Sequence, residues 1–347
     1  MSLGPVMMGL EGPALSAEER EMLVHPLVGG VLLFSRNYAS PEQLEGLCAE
    51  IHGLREPRLI IAVDHEGGRV QRFQQGFTPL PAVALLGRLY EGEPRRALAL
   101  ARVTGWLMAV ELRSVGVDLS FAPVLDLDRG QCAVIGERAF HRDPEVVAEL
   151  AHQYMRGMHE AGMAATGKHF PGHGGVREDS HLTLPVDGRG VEDLLLEDVL
   201  PFERMIHHGM EAVMTAHVRY PQAHEAVASF SPFWVEGILR RRLAFEGVVF
   251  SDDLAMAAAA GAGDMPARAR AALAAGCDMV LACQERGHAE TVLDGLGDWR
   301  KPVTCLRLAR LHGRGEVSRA SLRRDARWRD AVAQVTGYDE PHNLELI

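Results

Sequence analysis

The sequence predicts an α/β protein built as a single (β/α)8 TIM-type barrel with a C-terminal helical extension. Eight short apolar runs alternate with helix-like segments over about 280 residues, which is an ordinary size for such a barrel. Most of the runs are almost continuously hydrophobic, as expected of parallel strands buried on both faces. The alternative is an open dinucleotide-binding sheet, which would show a G-x-G-x-x-G turn after its first strand. No such turn follows Leu10.

The predicted strands share this apolar character and end at polar or glycine-rich segments. In chain order they span residues 5–10, 30–34, 59–64, 117–126, 164–170, 212–218, 247–252 and 278–283. A glycine precedes several of the runs and is placed where it could close the preceding helix. These glycines are Gly29, Gly116, Gly162 and Gly276.

Helix signals lie between the runs. Ser16 and Glu19 have the spacing of a capping box. Ser40 and Asp143 each precede a proline and are expected to cap helices that start at that proline. Residues 98–115 and 267–275 are rich in strong helix formers, so they predict two further helices.

Composition limits the function classes. A net charge of −11 argues against a nucleic-acid-binding surface, and no apolar stretch is long enough for a membrane span. The five cysteines form no C-x-x-C pair, which favours a reducing compartment, and the N-terminus does not resemble a signal peptide. We therefore expect a cytoplasmic monomer whose residues 1–347 form one catalytic domain. Residues from about 287 form the extension, whose arginines are expected on a solvated helical face.

Ionisable residues follow four of the predicted strands. Asp64 ends the third, Lys168 and His169 end the fifth, His217 ends the sixth, and Asp252 ends the seventh. The active site of a barrel lies at the carboxyl ends of its strands, so these side chains are expected to converge.

Asp252 and Asp253 together admit two interpretations. An aspartate at a strand end is held rigidly, as a nucleophile must be. Aspartate is also a preferred helix N-cap. We assign Asp253 as the cap of a helix over residues 254–260 and Asp252 as the catalytic residue.

The segment 167–181 contains glycines, a proline and three histidines, and predicts a mobile loop that closes over a ligand. Asp179 precedes His181 by two residues, so its carboxylate can fix the imidazole tautomer and favour the charged form. His181 is then a candidate general acid. His173 could be a solvated loop residue. A metal site of His169, His173 and His181 is an alternative, although their spacing matches no common zinc pattern.

Five segments together resemble the bacterial β-N-acetylglucosaminidases of glycoside hydrolase family 3, the cytoplasmic enzymes of peptidoglycan recycling. They are VDHEGGRVQRF at 63–73, DLSFAPV at 118–124, IGERAF at 135–140, residues 167–181 and FSDDLAM at 250–256. The resemblance runs from the N-terminus to about Cys283, and KHFPGHG together with DSH is its most specific part.

The resemblance implies specific roles. Asp252 matches the family's nucleophile, His181 its acid/base and Asp179 the residue that orients His181. The residues implied to hold the N-acetylglucosamine ring are Asp64, Arg72, Arg138, Lys168 and His169. The implied substrate is N-acetylglucosamine β-1,4-linked to anhydro-N-acetylmuramic acid, with or without peptide.

The implied mechanism is a double displacement with retention, and it requires neither metal nor organic cofactor. Three alternatives remain. A phosphorylase is the nearest, because a histidine need not repel phosphate as a carboxylate would. The others are a metal-dependent barrel hydrolase and a non-catalytic sugar-binding barrel.

Overall fold

The computed structural model describes residues 3–299 and 301–337, and within them eight parallel strands form a closed barrel. The strands are β1 (Val6–Gly9), β2 (Val28–Leu33), β3 (Ile60–Val63), β4 (Leu119–Ser120), β5 (Thr166–Phe170), β6 (Ala212–Thr215), β7 (Val248–Asp253) and β8 (Met279–Ala282). Hydrogen bonding joins them in the order β4-β3-β2-β1-β8-β7-β6-β5. Bridges from Leu119 to Ala164 and from Val124 to Lys168 close the ring between β4 and β5. The predicted barrel is confirmed.

Side chains fill the barrel interior. Phe121 and Phe250 meet edge to face with ring centroids 5.1 Å apart, and both are fully buried. Because β4 and β7 are not neighbours in the sheet, this contact crosses the barrel. The barrel is therefore a packed core that can hold polar side chains only at its ends.

Helices cover the outside of the barrel. They are α1 (Ala17–Leu23), α2 (Pro41–Gly53), α3 (Ala84–Gly92), α4 (Pro94–Arg113), α5 (Pro144–Glu160), α6 (Val191–Leu196), α7 (Leu200–His207), α8 (Met265–Ala275), α9 (Arg286–Leu296), α10 (Pro302–Leu308), α11 (Arg319–Leu322) and α12 (Ala326–Thr336). A π-helix, Phe233–Arg242, follows β6 in place of an α-helix. Two short hairpins pair His65–Gly67 with Val70–Gln71 and Arg219–Tyr220 with His224–Val227. None of the described helices is both long and apolar enough to cross a membrane.

The predicted caps hold in most places. The Ser16–Glu19 capping box, Ser40 before α2 and Asp143 before α5 are all confirmed. Gly276 closes α8 in the left-handed conformation, at φ 118°, where a side chain would be strained. Gly29 closes no helix, because β2 begins one residue before it, at Val28.

The predicted helix over residues 254–260 is wrong. A turn and a 3-10 segment, Ala257–Ala262, follow β7, and α8 starts later with Asp264 as its N-cap. Asp253 therefore caps no α-helix. Its carboxylate accepts the backbone N–H groups of Ala255 and Cys283 instead, which ties β7 to the end of β8.

The extension packs against the barrel through its arginines and one tryptophan. Trp328 donates its indole N–H to Glu111 on α4 at 2.8 Å. Arg327 lies 4.0 Å over the ring of Trp106 and pairs with Glu160, and Arg307 pairs with the buried Asp278. The predicted solvated face thus holds for only some of the arginines. The exposed ones are Arg310, Arg314, Arg323, Arg324, Arg327 and Arg329, whereas Arg307 and Arg319 are partly buried.

Candidate active site

A pocket of about 290 Å³ opens at the carboxyl ends of the strands. All eight site residues predicted from the sequence line it, although they come from separate strands and loops. They are Asp64, Arg72, Arg138, Lys168, His169, Asp179, His181 and Asp252.

Lys168 and Glu66 form the centre of a buried charge cluster on one wall. The Lys168 Nζ lies 2.7 Å from Asp64 Oδ1 and 2.6 Å from Glu66 Oε1. Arg138 donates to both Glu66 oxygens at 2.8 Å, which is the bidentate geometry that favours arginine. Burial acts to raise the pKa of Glu66, but the charges of Arg138 and Lys168 outweigh it and hold that pKa well below its usual range. The cluster is a preformed set of fixed charges.

Asp64 and Arg72 stand at the open side of this cluster. The Arg72 Nη2 lies 3.7 Å from Asp64 Oδ2, and both side chains are partly exposed to the pocket. Asp64 thus keeps acceptor capacity for a ligand hydroxyl. Arg69, nearer the mouth, donates to the backbone carbonyls of Ala133 and Val134.

Asp126 fixes two histidines that line the pocket, His169 and His173. Its Oδ2 lies 2.6 Å from His169 Nδ1, and its Oδ1 accepts the backbone N–H of His173 at 2.7 Å. Because Nδ1 of His169 is held, Nε2 is the ring atom available to a ligand. Burial raises the pKa of Asp126, but His169 and the backbone of His173 bring it below its usual value, so Asp126 is ionised.

Asp252 and Asp253 differ in how their oxygens are used. Asp252 Oδ1 accepts the backbone N–H of Asp253 at 2.8 Å. Burial raises the pKa of Asp252, but His169, His217 and that N–H lower it overall. In Asp253 both oxygens accept backbone N–H groups, at 2.8 Å and 3.0 Å, and burial raises its pKa to about 7. Asp252 is therefore the anionic carboxylate, and one of its oxygens has no hydrogen-bond partner among the described residues.

His217 supports this strand end from below. It is fully buried, and its Nε2 donates to the backbone carbonyl of Asp253 at 3.0 Å. Burial lowers the pKa of His217, so the imidazole is neutral at physiological pH. It holds the backbone around Asp252 and Asp253.

Asp179 and His181 form the hydrogen-bonded pair that their spacing predicts. The Asp179 Oδ1 accepts from His181 Nδ1 at 2.8 Å and from the His181 backbone N–H at 2.8 Å. Burial acts to raise the pKa of Asp179, but these two hydrogen bonds lower it overall. The His181 side chain is 57% exposed. With Nδ1 held by Asp179, Nε2 is the nitrogen that can exchange a proton.

The solvated interpretation of His173 is wrong. This side chain is 2% exposed, and its Nε2 lies 2.9 Å from Ser180 Oγ. The alternative of a three-histidine metal site receives no support from the geometry of the described residues. Across residues 3–299 and 301–337, no group of three or more His, Cys, Asp or Glu side chains could hold a metal.

Sequence reasoning missed several polar residues of this pocket region, among them Glu66, Asp126 and His173. Asp126 ends the fourth apolar run just as Asp64 and Asp252 end theirs, so the same rule could have identified it. Glu66 lies two residues past a strand end, inside the hairpin His65–Gly67, where only its burial against Arg138 reveals it. No pattern distinguished His173 from the other loop histidines.

The geometry can be compared with known proteins. The glycosyl hydrolase family 3 N-terminal domain matches residues 4–302. This chain belongs to glycosyl hydrolase family 3. A beta-hexosaminidase of Thioalkalivibrio sulfidiphilus is 59% identical over 100% of this chain and 99% of its own length. A second, from Alkalilimnicola ehrlichii, is 55% identical over the same shares.

The solved structures of this family agree with the fold. The NagZ of Neisseria gonorrhoeae, in complex with N-trifluoroacetyl-D-glucosamine, superimposes with a TM-score of 0.93 at 45% identity, covering 97% of this chain and 98% of that one. The family 3 member described here is a glycoside hydrolase of the β-hexosaminidase type. A purely sugar-binding barrel is thereby set aside.

Proposed function

We propose that this hydrolase is a retaining exo-β-N-acetylglucosaminidase acting on peptidoglycan fragments. Its substrate is N-acetylglucosamine β-1,4-linked to anhydro-N-acetylmuramic acid, with or without peptide. One observation carries the proposal: an ionised, partly free carboxylate, Asp252, shares a small pocket with the Asp179–His181 pair. The acylated glucosamine in the related Neisseria gonorrhoeae structure supports a 2-acylamino sugar as the bound ring.

In the first step Asp252 attacks the anomeric carbon, and the bond to the leaving oxygen breaks. His181, protonated, gives its Nε2 proton to that oxygen. A covalent glycosyl-enzyme on Asp252 results. The free oxygen of Asp252 is the attacking atom, since the other is held by the N–H of Asp253.

In the second step water attacks the anomeric carbon, the bond from that carbon to the Asp252 oxygen breaks, and neutral His181 takes the proton of the water at Nε2. Two inversions give net retention. Asp179 keeps Nδ1 protonated in both steps, so that Nε2 can act first as donor and then as acceptor. The balance of protons is restored after each turnover.

The charge cluster holds the sugar ring. Asp64 accepts hydrogen bonds from ring hydroxyls, Lys168, Arg72 and Arg138 donate to them, and His169 Nε2 contacts the same ring. Because these groups are held by one another before substrate arrives, little reorganisation accompanies binding. The five cysteines are all free, which fits a reducing cytoplasm, where we place this enzyme as a monomer.

The test is hydrolysis of an aryl β-N-acetylglucosaminide followed by NMR of the first-formed product. The β-anomer should appear first, and a 2-acetamido-5-fluoro glycosyl fluoride should label Asp252. First formation of the α-anomer, or label on another carboxylate, contradicts the mechanism. The same assay with and without phosphate identifies a phosphorylase, which would accumulate a sugar phosphate.

A further inference from the structure

The segment 167–181, which carries Asp179 and His181, contains a buried contact that the proposed mechanism does not use. Ser180 lies between Asp179 and His181, yet it is only 2% exposed, whereas His181 is exposed and Asp179 is partly exposed. Its Oγ lies 2.9 Å from Nε2 of the equally buried His173. The middle residue of an exposed segment is therefore anchored in the interior.

His173 is itself fixed from two sides. Its backbone N–H donates to Asp126 Oδ1 at 2.7 Å, and its Nδ1 lies 3.6 Å from Cys132 Sγ. Cys132 belongs to the loop after β4, which also carries Arg138. A second hydrogen bond joins the same two loops: Gln131, next to Cys132, donates from Nε2 to the carbonyl of Gly175 at 2.8 Å. His173 thus connects its own loop, which carries Asp179 and His181, to the loop after β4, which carries Arg138.

Ser180 is also joined to the strand that carries the nucleophile. The backbone carbonyl of Ser180 accepts from the N–H of Ala258 at 3.2 Å, in the segment that follows β7. Asp252 lies near the end of β7. The side chain of Ser180 therefore faces His173, and its backbone contacts the Asp252 side of the pocket.

We propose that His173 and Ser180 are positioning residues that set the reach of His181 toward the bond attacked by Asp252. General acid catalysis needs the donor within about 2.6–3.2 Å of the leaving oxygen. A misplacement of about 1 Å can cost about 100-fold. The exposed Asp179–His181 turn orients the ring but does not fix where the turn lies, and the Ser180–His173 contact does. This inference rests on the proposed acid/base role of His181.

The first test replaces Ser180 by Ala and measures kcat/KM for aryl β-N-acetylglucosaminides with leaving groups of different pKa. We expect a loss of about 10- to 100-fold for poor leaving groups, within the range that acid assistance supplies, and little loss for a dinitrophenolate. Ser114→Ala is the matched control. Ser114 is also buried and bonded through Oγ, at 2.6 Å to the Glu111 carbonyl, but it follows α4 far from the pocket. The control should leave the leaving-group dependence unchanged.

The second test is a double-mutant cycle with His173→Ala. If the two residues act through their mutual contact, the double variant should be no worse than the poorer single variant. Additive losses would overturn the inference. If His173→Ala fails to fold, Ser180→Ala alone decides the matter.

His181→Ala, measured in parallel, separates the inference from the function on which it rests. If His181→Ala steepens the leaving-group dependence and Ser180→Ala does not, the inference is wrong and the proposed mechanism stands. An equal loss for all leaving groups in Ser180→Ala has the same meaning. If His181→Ala produces no steepening, both fail.

Discussion

The two ends of this barrel both bury carboxylates, but they use them differently. At the amino end, the acidic residues directly before β4, β6 and β8 each accept a backbone N–H from the preceding odd-numbered strand or from the residue just before that strand. Asp118 accepts from Ile61, Glu211 from Ala165 and Asp278 from Val249. At the carboxyl end, the acidic residues face a pocket and share cationic partners, as Asp64 and Glu66 share Lys168.

The difference lies in how many partners each carboxylate has. Asp278 also accepts hydrogen bonds from the side chains of Arg240, Arg307 and Thr304, so both of its oxygens have partners. Asp252, among the described residues, accepts a single backbone N–H and keeps one oxygen toward the pocket. A saturated carboxylate contributes stability, whereas an unsaturated one remains available for chemistry. This agrees with the general division of barrels into a stabilising and a catalytic face.

Asp252→Asn should give the largest effect on activity. It removes the nucleophilic charge while keeping the side-chain shape, so kcat should fall by several orders of magnitude. The free energy of unfolding should stay unchanged. The matched control is Asp264→Asn, an exposed N-cap at which asparagine serves equally well. If Asp253→Asn abolishes activity and Asp252→Asn does not, the nucleophile is assigned one residue too early.

His181→Ala should follow, with a loss that depends on the substrate. General acid assistance is worth about 10²–10⁴-fold, and it should disappear for poor leaving groups while activated aryl glycosides lose far less. Asp179→Ala should show a milder version, because the ring remains but its tautomer is no longer fixed. Equal losses for good and poor leaving groups would place the acid elsewhere.

Asp278→Asn tests the opposite end of the barrel. It leaves the buried Arg240 without its ionic partner, and breaking a buried pair in this way costs about 3–5 kcal/mol in the free energy of unfolding. Denaturant unfolding should reveal that loss, while kcat per folded molecule stays near the wild-type value. A variant that is stable but inactive would contradict the division between the two ends.

Arg138→Ala should have an intermediate effect on binding. Removing a charge-assisted hydrogen bond costs about 1.5–3 kcal/mol, so affinity for an N-acetylglucosamine-based inhibitor should weaken by roughly 10- to 100-fold. Glu66 also loses its bidentate partner, so thermal unfolding should shift downward too. Unchanged inhibitor affinity would mean that Arg138 acts only through Glu66.

The smallest expected effect is the pH dependence of Asp118. Burial raises its pKa, but His52, Arg58 and the N–H of Gly313 lower it overall from the ordinary value of 3.8. Its contribution is therefore present above that value and is lost as pH falls through the lower folded pKa. The stability difference between the wild type and Asp118→Asn should narrow below about pH 4. A difference that stays constant with pH would show that the charge of Asp118 is not responsible.

The sequence was most informative where a strand ends. Continuous apolar runs predicted all eight strands, and the polar residues that end them led to Asp64, Lys168, His169 and Asp252. The prediction failed where tertiary contacts decide the outcome. The segment after β7 forms a turn because Asp253 bonds to Cys283 on another strand, and His173 is buried because Ser180 and Cys132 enclose it. Cys283 is 30 residues from Asp253 and Cys132 is 41 residues from His173, so local propensity carries no signal for these contacts.

The contacts of Asp118 and Asp278 also bear on where this enzyme could be shortened. The family match ends at residue 302. Beyond it, Thr304 and Arg307 donate hydrogen bonds to Asp278, and the backbone N–H of Gly313 donates to Asp118. A protein cut at 302 would keep every pocket residue and lose three donors to two buried anions. We expect such a fragment to be poorly soluble and one ending beyond α12 to express well. We therefore expect the smallest autonomous version of this enzyme to extend beyond residue 302, where the match to the family's domain ends.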